Sequence, residues 1–400
     1  MGKLLITDLL LKGKKVLIRV DFNVPLSDDG SIADDTRIRA SIPTIEYALH
    51  SGAAVILMSH LSTPKEREKM QPSLGICAKQ LSKLISAPVL FVTDCVGKEV
   101  EKKVKNLKGG EVLLLENLRY YLGEEVPEAD PNFVKKLSQL GDFYVNDAFS
   151  AAHRPHASIT AICQYFPQKA AMGLLMEKEI VFLNSLLESP AHPFFILMGG
   201  GKISQKLNTL KKLIQKADAL FLGGKMALIF FKIQGIDVGD SNFLEEDLKR
   251  ARELVDLCER KGFSLSLPLD MVIADRFDKD ATFKVISLDQ GIPKGWIGMD
   301  IGPATIQAWK EAFLSAATLF WNGPLGVFEF PSFSVGTREI IKELAALKAK
   351  VIIGGGESLL AIHTLLAAES QFAYLSMGGG ALLEYLEKRT LPGIEALTEV

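Results

Sequence analysis

The stretch FFILMGGGKISQK, residues 194–206, sets out the fold in one line. Five apolar residues of strand length run into three glycines, and a segment with helical spacing follows at once. That is the pattern of a strand ending in a tight turn that opens a helix. Lys202 and Lys206 stand four apart, on one face of the helix's first turn. Cations there oppose the helix dipole, so an anion between them would offset the cost. The loop is not a Walker A motif, because Ile196 and Ile203 occupy the places where that motif needs a glycine and a serine or threonine.

Outward from this segment the same unit recurs. Apolar runs KKVLIRVDF (14–22), AAVILMSH (53–60), EVLLLEN (111–117) and DFYVNDA (142–148) mark strands in the first half. FFILM, DALFLG (218–223), LSLPLDMVIA (265–274), TLFWNG (318–323), KVIIGGG (350–356) and FAYLSMGGG (372–380) mark them in the second. Amphipathic segments lie between, such as DDTRIRASIPTIEYALHSG (34–52), with an acidic start and a glycine stop. Near-continuous apolar strands alternating with helices predict an α/β protein with mainly parallel sheets covered by helices on both faces. The long amphipathic segment 173–193 lies near the middle, and a domain boundary is expected near residue 172.

Bulk properties narrow the function. The chain has 400 residues, enough for two or three domains, and a formal net charge of −2. No global field attracts nucleic acid or an anionic membrane. Four scattered cysteines, with no Cys-x-x-Cys pair, argue against a disulfide framework or a zinc site. No apolar run approaches the ~20 residues of a membrane helix, and the N-terminus lacks a secretory pattern. These features predict a soluble cytoplasmic protein.

Ligands of parallel α/β sheets bind beyond the carboxyl ends of the strands. In the second half those ends carry Gly199–Gly201, Gly223–Gly224, Gly354–Gly356 and Gly378–Gly380. One such run is explained by a tight turn. Four beside one sheet, with Lys202 and Lys206, predict a nucleotide phosphate site. In the first half the ends carry Asp21 and Asn23, His60, Asn117 and Arg119, and Asn146 and Asp147, with His153, Arg154 and His156 just after; Arg37 lies in the first turn of its helix. Taken singly, these are a core histidine and surface ion pairs. Together they predict a pocket for a small, multiply anionic substrate. Two anion sites in two halves suggest phosphoryl transfer. A dinucleotide-dependent dehydrogenase is disfavoured, since no strand leads into a clean G-x-G-x-x-G.

At these residues the chain resembles the phosphoglycerate kinases. The likeness runs through VLIRVDFNVP (16–25), LMSHL (57–61), LLLENLRY (113–120), YVNDAFSAAHRPHAS (144–158), GGGKISQK (199–206), DIGPATI (300–306), FWNGPLGVFE (320–329), VIIGGGES (351–358) and GGGALLEYL (378–386). The resemblance implies two Rossmann-like domains joined by a hinge: an N-terminal 3-phosphoglycerate-binding domain, 1–172, and a C-terminal nucleotide-binding domain, 173–389. The tail 390–400 would pack back on the first. It implies reversible phosphoryl transfer between 1,3-bisphosphoglycerate and ADP, giving 3-phosphoglycerate and ATP in glycolysis, by a monomer using magnesium as the nucleotide complex.

By the same resemblance, Asp21, Asn23, Arg37, His60, Arg119 and Arg154 form the substrate site. Gly200, Gly201, Lys202, Lys206, Gly224, Asn322, Glu329, Gly355, Gly356, Glu357 and Ser358 form the nucleotide site, with Glu357 toward the metal and Glu329 toward the ribose. Arg37 and Lys206 would flank the transferring phosphoryl group, and Gly379 and Gly380 would present a helix N-terminus to it. Several positions depart from the family pattern. Thr63 replaces a phosphate-holding arginine, with Lys65 or Arg67 as candidates to compensate. Lys225 replaces a glycine near the base, Gln205 an acid, Glu357 an aspartate, Met377 a threonine and Ala304 a lysine. These departures motivate an alternative, a homologue that binds its ligands but turns over weakly.

Overall fold

The computed structural model describes residues 2–61, 72–201, 203–365 and 371–400. Thr63, Lys65, Arg67 and Lys202 lie outside the described residues, as does the side chain of Gln205. The chain forms two compact units, Met1–Val181 with Thr390–Val400, and Phe182–Arg389. The division falls inside the helix Leu174–Glu188.

The first unit holds strands β1 (Lys15–Arg19), β2 (Ala54–Met58), β3 (Val89–Phe91), β4 (Val112–Leu114), β5 (Phe143–Asn146) and β6 (Ala170–Met172). They lie in the order β3-β4-β2-β1-β5-β6, every neighbouring pair parallel. Val16, Ile18, Val55, Leu57, Val112 and Leu114 pack with Ile38 and Ile45 into one core. Burial at ~25 cal/mol per Å² of apolar surface is what holds such a layer. Ile38 and Ile45 come from the helix Thr36–His50, which Asp34 starts by accepting hydrogen bonds from the Thr36 amide at 2.8 Å and hydroxyl at 2.6 Å. Two residues past its end, Gly52 adopts φ +80°, which a side chain would resist.

The end of the chain completes this unit. Leu4 N donates to Thr398 O at 2.9 Å, Thr398 N to Ala170 O at 3.0 Å and Gly393 N to Ala152 O at 2.8 Å. Gly393 fits because a Cβ there would lie 2.6 Å from Ile159 Cγ2.

The second unit holds β7 (Phe194–Met198), β8 (Ala219–Leu222), β9 (Ser264–Ser266), β10 (Asp270–Ala274), β11 (Phe283–Ser287), β12 (Ile297–Ile301), β13 (Thr318–Asn322), β14 (Lys350–Gly354) and β15 (Tyr374–Ser376). Its main sheet runs β15-β14-β13-β7-β8-β9, again parallel throughout. On one face Phe221 meets Trp309 and Phe313 edge-on, with ring centroids 5.7 and 4.8 Å apart, a geometry that adds to area burial.

Two details differ from the sequence reading. LSLPLDMVIA is not one strand: its first part is β9 of the main sheet and its second is β10 of a separate antiparallel sheet, β11-β10-β12. Pro268, which has no amide to donate, separates them. The Leu269 and Asp270 amides that follow turn to Thr305 Oγ1 at 2.9 and 3.1 Å. Secondly, β3, β6, β11 and β12 were not anticipated; β3 and β6 have three residues each, and β11 is largely exposed.

Candidate active site

Parallel pairing brings the carboxyl ends of all six strands of the first unit to one side. Beyond β1, β2, β4 and β5 lie Asp21, His60, Arg119 and Arg154 in turn. Asp21 Oδ2 accepts from Arg37 Nη1 and from the Ser150 hydroxyl, while Oδ1 accepts from the Asn23 amide at 3.1 Å. Burial pushes the Asp21 carboxyl up. Arg37, His60, the Ser150 hydroxyl and Arg19 together outweigh it and hold the group well below the usual carboxylate range. The ionised carboxylate thereby fixes Arg37, which projects from the first turn of its helix.

His60 is buried, and its Nδ1 lies 3.0 Å from Arg19 Nη2. Burial, with Arg19, Arg119 and Arg154, drives its pKa well below the ordinary value despite Asp21. The ring is therefore neutral at pH 7. Arg119 lies within the 3-10 turn Leu118–Tyr120 opened by Asn117, whose Oδ1 accepts the Arg119 amide at 3.1 Å, and its Nε lies 3.3 Å from Glu125 Oε1. Arg154 Nε donates to His153 Nε2 at 3.3 Å. Burial, then Arg19, Arg154 and Arg119, lower His156 to about 4. Guanidiniums set among neutral imidazoles suit an anion with several oxygens. Asn23 enters here through its backbone amide.

In the second unit the glycines serve close approach as much as ligand contact. A Cβ at Gly199 would fall 2.1 Å from Pro324 O, and one at Gly223 2.6 Å from Leu325 Cδ2. These contacts clamp the loops after β7, β8 and β13 together. Gly200, Gly201 and Gly224 line a cavity of about 540 Å³, with Glu329, Glu357 and Lys225 among its polar walls and Leu228, Met271, Met299 and Val327 among its apolar ones. That size and mixture suit a small ligand with an aromatic body and charged groups. Lys225 lies along Gly201, its Cδ 3.4 Å from where a Gly201 Cβ would stand, and its ammonium is 5.7 Å from the Phe243 ring centroid. It borders the cavity without filling it.

Lys206 Nζ donates to Gly199 O at 2.9 Å and Asn322 O at 3.4 Å. Burial lowers its pKa to about 8, with Glu357 pulling the other way. Asn322 Nδ2 donates to Gly354 O at 2.8 Å, and Ser358 Oγ accepts the Gly323 amide at 2.7 Å, so both brace the loops under Lys206. Gly355 has φ +98° and Gly379 +53°. Gly379 caps the helix Gly380–Lys388 beyond β15, and a Cβ on Gly379 or Gly356 would meet nothing within 4 Å. Gly355, Gly356, Ser358, Asn322, Gly379 and Gly380 do not line the cavity. Among the described residues no cluster of three or more His, Cys, Asp or Glu side chains is placed to hold a metal by itself.

Three groups here escaped the sequence reading. Ser150 binds Asp21, and Arg19 reaches His60 from inside β1. Asp300 borders the cavity, accepting the Gly336 and Ile301 amides at 2.7 and 2.9 Å, and burial raises its pKa to about 8. An arginine inside an apolar strand was the one visible signal for Arg19.

Comparison with known proteins places this arrangement. The family model described as phosphoglycerate kinase matches residues 6–389. A phosphoglycerate kinase of Moorella thermoacetica is 46% identical over 399 residues, covering 100% of both chains. One from Geobacter metallireducens is 47% identical, covering 97% of this chain and 96% of the relative. Among solved structures, phosphoglycerate kinase from Coxiella burnetii superposes with a TM-score of 0.83 at 35% identity, over 99% of this chain and 98% of that one. The Pyrococcus horikoshii enzyme gives 0.86 at 33% identity, over 98% of each.

Proposed function

The chain belongs to the phosphoglycerate kinase family, and from that premise we propose how its residues transfer a phosphoryl group. It is a phosphotransferase that moves the group reversibly between 1,3-bisphosphoglycerate and ADP, yielding 3-phosphoglycerate and ATP. One observation carries the reading: the chain holds both a guanidinium-rich site at the strand ends of one unit and a nucleotide-sized cavity beside a partly buried lysine in the other.

The first unit acts as the 3-phosphoglycerate-binding domain and the second as the nucleotide-binding domain. Asn23, His60, Arg119 and Arg154 hold the three-carbon acid, and Asp21 aims Arg37. Gly200, Gly201, Lys202 and Gly224 follow the nucleotide, with Glu329 at the ribose. The loops of Asn322 and Gly355–Ser358 support its phosphates. Both attacking groups, a carboxylate and a nucleotide phosphate, are ionised at neutral pH, so no general base is needed. Catalysis then rests on alignment and on charge stabilisation by Arg37, Lys206 and the helix N-terminus at Gly379 and Gly380. Glu357 borders the cavity on the side of Lys206, which suits magnesium bound mostly by phosphate oxygens with one protein carboxylate. Magnesium bound in this way neutralises phosphate charge.

The four cysteines are free and buried, in keeping with a reducing cytoplasm, where the enzyme works as a monomer. No helix among the described residues is long and apolar enough to cross a membrane.

No observation favours a chain that binds without turnover, since Lys225 leaves the cavity open and the Asp21–Arg37 pair is intact. A coupled assay with ATP and 3-phosphoglycerate tests the proposal. Turnover should fall in the ordinary range of ~1–10³ per second, and Arg37→Ala should lower kcat by about 10³-fold. Wild-type protein no faster than that variant would refute the reading.

A further inference from the structure

Arg19 ends β1 with only 1% of its surface exposed, and each of its nitrogens is engaged. Nη1 donates to Val20 O, Nε to Ser158 Oγ at 2.8 Å and Nη2 to His60 Nδ1 at 3.0 Å. Ser158 in turn gives both its donors to one carboxylate: its hydroxyl to Glu124 Oε1 at 2.6 Å and its amide to Glu124 Oε2 at 3.0 Å. Glu124, Ser158, Arg19 and His60 thus form one buried relay.

The polarity of that relay is fixed. The Ser158 hydroxyl proton is committed to Glu124, so a lone pair faces Arg19. A guanidinium has donors and no acceptor. The nitrogen opposite it must therefore be bare, which places the proton of the neutral His60 ring on Nε2. We propose that Arg19 is a positioning residue that locks His60 in its neutral Nε2–H tautomer, so that His60 meets 3-phosphoglycerate as a hydrogen-bond donor and not as a cation. Arg19 does this without touching the substrate. Asp21, Arg19, Arg119 and Arg154 are the charged groups that act on the ring, and the three guanidiniums disfavour a fourth cation among them.

The inference rests on the reading of His60 as a substrate ligand, and the test separates the two. The full chain, labelled with ¹⁵N-histidine, is followed by NMR, where ring nitrogen shifts report the tautomer. Between about pH 6 and 8, where an ordinary histidine titrates, wild-type His60 should show a bare Nδ1 and a protonated Nε2. A protonated Nδ1, or a doubly protonated ring at neutral pH, overturns the lock. Arg19→Gln can offer the ring either an amide N–H or an amide oxygen. It should mix the tautomers and raise KM for 3-phosphoglycerate about tenfold, with kcat within about twofold. Arg19→Lys, a donor only, should restore both. Affinity lost with the tautomer intact, or neither changed, also overturns the proposal, and the wild-type spectrum decides it even where a variant fails to fold. If the tautomer is as expected but 3-phosphoglycerate leaves the His60 signals unmoved, the lock stands and the substrate assignment falls.

Discussion

Lys206 shows how a single residue gives up stability for function. Its pKa in the folded chain, about 8, lies below the ordinary 10.5. Between those values the unfolded chain holds the extra proton, so stability rises with pH through that window. Below about 8 the full cost of a partly buried ammonium is present, on the order of 1–3 kcal/mol. Lys206→Met should therefore raise Tm by a few degrees at pH 7 while lowering kcat by at least ~10²-fold. Scanning calorimetry beside the coupled assay checks both, and a lower Tm would show that the ammonium is not strained. A nucleotide phosphate relieves the same cost, so ADP binding by the wild type should weaken as pH climbs above about 8.

Elements set where such residues stand. The loops after β7, β8 and β13 touch because glycines let their backbones approach, and Gly199→Ala would force its new methyl to 2.1 Å from Pro324 O. That variant should lose ~2–4 kcal/mol of stability and most ADP affinity. Gly356→Ala, with nothing within 4 Å, should unfold at the wild-type denaturant midpoint. At the start of the helix Leu174–Glu188, Asp147 Oδ1 accepts the Leu175 and Met176 amides at 2.9 and 3.3 Å. Burial pushes this carboxyl up to about 7, against the Thr44 hydroxyl and those amides. Its contribution is complete below about pH 4 and fades as pH rises through 7. Asp147→Asn keeps an acceptor without the charge, so it should be more stable than the wild type at pH 8 and lose that advantage by pH 4. Equal Tm values at both would argue against it.

Legibility in the sequence follows the same physics. Strands buried on both faces announce themselves, as FFILM and AAVILM do, and so do the glycines at their ends. Whether such a run pairs parallel or antiparallel does not show, because DMVIA in β10 reads like its parallel neighbours. Of the site, the charged residues at strand ends were legible, and the resemblance of long ordered strings sharpened them into roles. Their partners were not. Ser150 and Ser158 look like any loop serine, and only tertiary packing brings them to Asp21 and Arg19.

At the scale of the whole molecule, each unit has its own core, yet the first is discontinuous in sequence. Residues 390–400 supply hydrogen bonds to Leu4, Ala152 and Ala170. Their deletion should weaken the first unit selectively. Calorimetry should show a separate, lower transition, and 3-phosphoglycerate binding should fail while ADP still binds the second. A uniform loss of both affinities would contradict that division.

This discontinuity also orders events during translation. The second unit leaves the ribosome as an uninterrupted run, whereas the first is split around it. Until residues 390–400 emerge, the first unit lacks the hydrogen bonds they bring to Leu4, Ala152 and Ala170.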